Sequence, residues 1–245
     1  ERKIFTKGKE VLTPECRDQY TSEGYLVIEN AVTDDQLTHL QKAFDEGAQA
    51  GKAEWLAGIA AGKAAPGFYD VPDPMSRDDI FIELADHPSY YEILMELTEN
   101  QLNYLGISAR LLPPSPVSYT GWHPDDLHSG PPMLLKVQIY VDDVDSREGA
   151  FAFVPGSHRP ESGPYPYVAR LESMPGHKVI LGKAGTAIVF NAFGWHTAWS
   201  NRTTKPRKSL ILTYEKRGEP KMSPFTDLAD KLGTPERRRL FLWEN

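Results

Sequence analysis

From about Arg110 to Tyr214 the chain is a succession of short runs rich in β-branched and aromatic residues, each closed by a turn. The runs are Pro116–Trp122, Met133–Val141, Ala150–Val154, Lys178–Leu181, Thr186–Phe190 and Ser209–Tyr214. Arg147-Glu148-Gly149, Pro155-Gly156-Ser157 and Lys183-Ala184-Gly185 separate several of them, and Gly and Pro at those points favour tight reversals. Many short strands with turns of this kind fold as a sandwich or jelly roll, not as a parallel sheet. The expected class is mainly β with flanking helices.

The preceding 109 residues have a different texture. Thr13 before Pro14 reads as an N-cap with proline at the first helical position, and Gly24 closes that helix. Tyr25-Leu26-Val27-Ile28 is a short apolar strand. Thr33-Asp34-Asp35-Gln36 has the spacing of a capping box, and Leu37, Leu40 and Phe44 follow at helical period to about Gly47. Residues 53–62 read as a further helix, 64–79 as a Pro/Gly/Asp-rich loop, and 87–105 as an amphipathic helix pair. Glu236-Arg237-Arg238-Arg239, followed by Leu240, Phe241, Leu242 and Trp243, reads as a last helix that docks apolar residues. The organisation expected is a single domain over 1–245. It comprises helical support and a substrate loop over 1–109, a β core over 110–215 and an extension over 216–245.

Composition narrows the partners. A formal net charge of −7 gives no general attraction for nucleic acid or an anionic membrane. No run approaches the roughly 18 apolar residues that a membrane span requires. No segment reads as a signal peptide, and the single Cys16 fits a reducing compartment, so a cytoplasmic location is expected.

The chemistry concentrates in Gly121-Trp122-His123-Pro124-Asp125 and Gly194-Trp195-His196. One residue separates His123 from Asp125, so in extended backbone both side chains point to one face. With His196 they make two imidazoles and a carboxylate, the facial ligand set of non-heme Fe(II) oxygenases. Arg207, Ser209, Ile211 and Thr213 share one face of a strand by the same period. A buried arginine there calls for an anion, which a dicarboxylate cosubstrate supplies through a bidentate pair.

These residues, taken together, resemble the phytanoyl-CoA dioxygenase family of Fe(II)- and 2-oxoglutarate-dependent oxygenases. The likeness extends to Glu23–Ile28, to Ile139-Tyr140-Val141-Asp142-Asp143-Val144, and to Gly149 leading into Val154-Pro155-Gly156-Ser157-His158. It implies a double-stranded β-helix, the cupin-like jelly roll. It implies Fe(II) on His123, Asp125 and His196, with 2-oxoglutarate and O2 as cosubstrates and succinate and CO2 as coproducts. The distal carboxylate of 2-oxoglutarate would pair with Arg207 and Ser209. Halogenating relatives carry Ala or Gly at the carboxylate position, so Asp125 points to hydroxylation of a small-molecule substrate; desaturation and ring closure use the same ligands.

Gln138 shares a strand face with Lys136 and Tyr140, and is either a cosubstrate contact or structural. Tyr119 shares the His123 face and is either a pocket residue or core. Trp122 and Trp195 read as packing, His158 as part of a scaffold turn, and His128 as surface. The 64–79 loop is where substrate selectivity is expected. Two other readings are a metal-dependent β-barrel enzyme that does not use 2-oxoglutarate, and a non-catalytic binding protein on the same scaffold.

Overall fold

The computed structural model describes residues 12–115, 120–125, 133–168, 173–218 and 222–243. Its elements are α1 (Pro14–Glu23), β1 (Tyr25–Ile28), α2 (Asp34–Ala60), β2 (Tyr69–Asp70), α3 (Pro74–Arg77), α4 (Ile80–Glu83), α5 (Tyr91–Leu97), β3 (Leu102–Leu112), β4 (Leu134–Tyr140), β5 (Phe151–Phe153), β6 (Lys178–Ile180), β7 (Ala187–Asn191), β8 (His196–Ala198), β9 (Arg207–Lys216) and α6 (Pro235–Leu242). Six strands form one antiparallel sheet in the order β1-β7-β4-β9-β3-β2, and three form a second in the order β6-β5-β8. This is the jelly-roll layout expected from the runs of short strands.

Period 2 sorts the large sheet into two unlike faces. Leu135, Val137, Ile139, Ala187, Val189, Leu210, Leu212 and Tyr214 turn outward into an apolar core with Leu40 and Phe44 of α2, Ile80–Ile82 of α4 and Leu240 and Phe241 of α6. The opposite face meets the small sheet through Tyr25, Tyr140, Phe151, Phe153, Ile180, Ile188 and Phe190. Helices therefore back the large sheet on one side and leave its other side for the barrel interior. The last helix docks as expected, with Arg237 tied to Asp86 at 2.8 Å.

Local signals at the N-terminus hold. Thr13 Oγ1 accepts from the Cys16 backbone N–H at 3.3 Å, and Gly24 closes α1 at φ 87°. Several expectations need correcting. The capping box at Thr33 does not form: Thr33 makes no side-chain cap bond, and Gln36 Oε1 lies instead 2.8 Å from His87 Nε2. Nor does α2 stop at Gly47; it runs unbroken through the separate helix expected at 53–62. Gly47 and Gly51 are not breakers but points of close approach, where a Cβ would lie 2.7 Å from Val71 Cγ1 and 2.0 Å from Tyr69 Oη.

Further along, the helix pair expected over 87–105 is α5 followed by the start of β3. Glu99 and Asn100 adopt positive φ and end the helical stretch, so the β core begins at Leu102 rather than Arg110. The 64–79 loop carries β2 and α3. The described part of the Pro116–Trp122 run, Thr120 to Trp122, is not a strand, and pairing there is confined to a bridge at His123. The strand β8 was missed altogether; three residues beginning at a histidine carry little β signal. The other core strands match their expected runs to within a few residues.

Gly51→Ala tests the packing role of α2. Helix propensity alone favours alanine by about 0.5–1 kcal/mol. Overpacking against Tyr69 and the Pro72 ring, whose Cδ lies 2.8 Å from the added Cβ, costs about 1–3 kcal/mol and wins. The variant is expected to melt a few degrees below the wild type in a calorimetric scan; an equal or higher Tm would refute the packing role.

Candidate metal and cosubstrate site

His123 and His196 are brought side by side by a reciprocal backbone bridge: His123 N–H donates to His196 O at 3.1 Å, and His196 N–H donates to His123 O at 3.0 Å. Thr120 reinforces this pairing, its Oγ1 accepting from the Ala198 N–H at 2.9 Å. The two imidazole centroids are 4.5 Å apart. Asp125 is set two residues on, where its N–H donates to Ala192 O at 2.9 Å. One ligand atom from each of His123, Asp125 and His196 falls within 4.8 Å of the others. The three expected ligands are thus together.

Their protonation suits a cation. His123 Nδ1 lies 2.8 Å from Gly121 O and His196 Nδ1 lies 2.8 Å from Gly194 O. A carbonyl only accepts, so each Nδ1 donates its hydrogen there, and Nε2 is the ring nitrogen left for a metal. Burial against Phe151 and Phe190, with ring centroids 5.7 and 5.1 Å away, pushes the His196 pKa down to about 4 despite the nearby Asp125. His196 is therefore a neutral donor at physiological pH, and its 3.5 Å approach to Asp125 Oδ2 is not an ion pair.

The turn preceding His196 is held by the Pro155–His158 segment. Ser157 Oγ accepts from the Trp195 N–H at 2.7 Å, and Val154 N–H donates to Trp195 O at 2.9 Å. His158 packs against Gly24 and its Nε2 lies 3.2 Å from Thr21 O, so it serves as scaffold and lies outside the ligand cluster. Trp122 packs edge-on to His177 and Trp199, and Trp195 stacks near Tyr165. Asp142 and Asp143 are pinned to Lys208 and Lys183.

Along β4 and β9 the same inner face leads from the ligand cluster to Arg207. Lys136 is opposite Thr213, Gln138 opposite Ile211, and Tyr140 opposite Ser209. Arg207 is 4% exposed, and desolvation lowers its pKa to about 10, which leaves it charged. Among the described residues, its Nε and Nη1, the Ser209 Oγ and the Gln138 Nε2 are all buried without a hydrogen-bond partner. Tyr140 does not answer them, since its hydroxyl donates to Ile180 O at 2.7 Å and accepts from the Phe151 N–H at 2.9 Å. Leaving such groups unsatisfied costs about 1–3 kcal/mol each and more for a charge, so the donor set fits a carboxylate. The expected residues Arg207, Ser209 and Gln138 lie on one face of neighbouring strands; Tyr119 lies outside the described residues.

Two features escaped the sequence reading. Lys136 Nζ lies 2.6 Å from Asp125 Oδ1. Arg110, facing Ser209 across β3 and β9, makes a bidentate pair with Asp70 at 2.7 Å for both bonds and sits 4.0 Å over the Phe68 ring. A lysine or arginine in a strand ordinarily reads as solvated, so neither announced its partner. The Phe68–Asp70 segment also lines a cleft of about 670 Å³ with Trp55, Gly58 and Pro72.

Solved structures share this architecture. They include the non-heme α-ketoglutarate-dependent carbocyclase SnoK from nogalamycin biosynthesis, at 19% identity and TM-score 0.62 over 84% of each chain. HygX from Streptomyces hygroscopicus, solved with nickel, 2-oxoglutarate and hygromycin B, matches at 17% identity and TM-score 0.66 over 83% of this chain and 87% of that one. EvdO2 from Micromonospora carbonacea var. aurantiaca, complexed with 2-oxoglutarate, matches at 17% identity and TM-score 0.60 over 85% of this chain and 92% of that one. These likenesses establish the fold. Residues 20–209 match the family model for phytanoyl-CoA dioxygenase, and the chain belongs to that family of iron- and 2-oxoglutarate-dependent oxygenases.

Proposed function

We propose that the protein hydroxylates a C–H bond of a small-molecule metabolite or natural product, using Fe(II) on His123, Asp125 and His196 and 2-oxoglutarate anchored by Arg207. The observation that carries the cosubstrate assignment is the unanswered polar set of Arg207, Ser209 and Gln138. A carboxylate meeting Arg207 supplies two charge-assisted bonds, with Ser209 and Gln138 as further donors. When bound, iron with 2-oxoglutarate supplies the O2-dependent oxidation of carbon, with succinate and CO2 released. The chain holds the ligands in place, keeps the His196 imidazole neutral and buries the Arg207 end.

Retention of a carboxylate at Asp125 supports hydroxylation over halogenation, because the coordination position a halide would take is held by the protein. HygX, solved with hygromycin B, and the nogalamycin carbocyclase SnoK support a substrate of natural-product size. We assign substrate selection to the 64–79 segment, because Phe68 and Asp70 reach the inner-face residue Arg110. We read the chain as one domain over 1–245 acting in the cytoplasm. Cys16 is a free thiol, and among the described residues no helix is long and apolar enough to cross a membrane.

Anaerobic addition of Fe(II) and 2-oxoglutarate to the folded protein is expected to develop a weak visible charge-transfer band. Absence of that band would overturn the assignment. Arg207→Ala is expected to raise the 2-oxoglutarate Kd by 100-fold or more, and Ser209→Ala by about 10-fold, in line with bonds to a charged group worth about 1.5–3 kcal/mol. An unchanged Kd in Arg207→Ala would show that Arg207 is not the anchor of the cosubstrate. His123→Ala or Asp125→Ala is expected to abolish metal-dependent decarboxylation, measured as succinate formed. Once a substrate is found, transfer of label from ¹⁸O2 separates hydroxylation from cyclisation or epimerisation.

A further inference from the structure

We infer that Lys136 is a positioning residue for the metal-ligating carboxylate, holding Oδ1 of Asp125 so that Oδ2 is the oxygen turned to the His196 imidazole. The inference rests on the iron and 2-oxoglutarate reading above and deepens it. The two oxygens of Asp125 have different surroundings. Oδ1 accepts from Lys136 Nζ at 2.6 Å, while Oδ2 lies 3.5 Å from His196 Nε2. The side chains of Lys136 and Asp125 are 18% and 19% exposed, while Asp125 taken with its backbone is exposed. Lys136 is aimed by the ladder, which sets it on the inner face between Phe190 of β7 and Thr213 of β9.

The arrangement has a chemical consequence. A carboxylate with two free oxygens can chelate a metal through both, and the second would occupy a position that the facial ligand set leaves for cosubstrate or O2. A short charge-assisted bond to one oxygen leaves the other as the donor. The amine also fixes the carboxylate's rotation, as partners of ligating groups do at other metal sites.

A competing effect has the opposite sign. A lysine ammonium beside a dication repels it, so a purely electrostatic role makes the site bind metal more weakly than it would without Lys136. Positioning makes it bind more tightly. The sign of the change on removing the amine therefore decides between them.

The experiment is Co(II) titration of the metal-free full chain, read by isothermal calorimetry and by the visible d–d bands of Co(II), whose intensity reports coordination number. Lys136→Met is expected to weaken Co(II) binding by about 10- to 100-fold and to reduce band intensity. Lys136→Arg, which retains a donor, is expected to restore most of both. Tighter or unchanged binding in Lys136→Met with an unchanged spectrum overturns the inference. If Lys136→Met does not fold, Lys136→Leu is read on the same terms, the metal-free melting curve serving as the folding control. A wild-type chain that binds no Co(II) would instead sink the metal-site assignment itself.

Discussion

The backbone bridge between His123 and His196 is the constraint on which the site depends. Two N–H···O bonds place residues from distant parts of the chain in register, and the imidazoles follow because neighbouring side chains on one sheet face have little freedom to separate. Each ring is then locked by its own Nδ1–H to a carbonyl two residues earlier, the same local device used twice. Asp125 joins them through a third backbone bond, to Ala192. The ligand cluster is therefore specified mainly by main-chain pairing, with side-chain bonds trimming the orientation.

A second constraint works in the opposite energetic direction. Burying a guanidinium and leaving two of its nitrogens without a partner is unfavourable, and β9 tolerates it because the outward residues Leu210, Leu212 and Tyr214 are wholly buried against the helices. The strand is stabilised on one face and polar on the other. A carboxylate that arrives at Arg207 meets donors already desolvated and fixed by the ladder, so little reorganisation is needed.

Much of this was legible in the residues because it depends on short-range periodicity. Alternation along β9 correctly set Arg207 and Ser209 on one face, and the His-x-Asp spacing correctly paired its side chains. What escaped depends on tertiary contact. Gly47 looked like a helix end, yet α2 passes through it and Gly51, where Val71 and Tyr69 approach the helix closely. Leu102 and Tyr104 looked helical, but two positive-φ residues before them redirect the chain into β3. Lys136 carried no local sign that its partner was Asp125, and the capping box at Thr33 lacks its Gln36 half because that side chain lies against His87.

The two-residue strand β2 bears on how such a fold changes over evolutionary time. It joins the large sheet at its edge, beside β3, and is separated from β4 by both β3 and β9. The segment it anchors can gain, lose or exchange residues while the ladder between β4 and β9 keeps its register. On the proposed role of that segment, divergence in recognition is mechanically uncoupled from the chemistry. On the roles proposed above for the 64–79 segment and Arg207, an insertion between Ala64 and Asp79 is a cheap route to a new substrate range, whereas a one-residue slip in β9 turns Arg207 to the other face of the sheet.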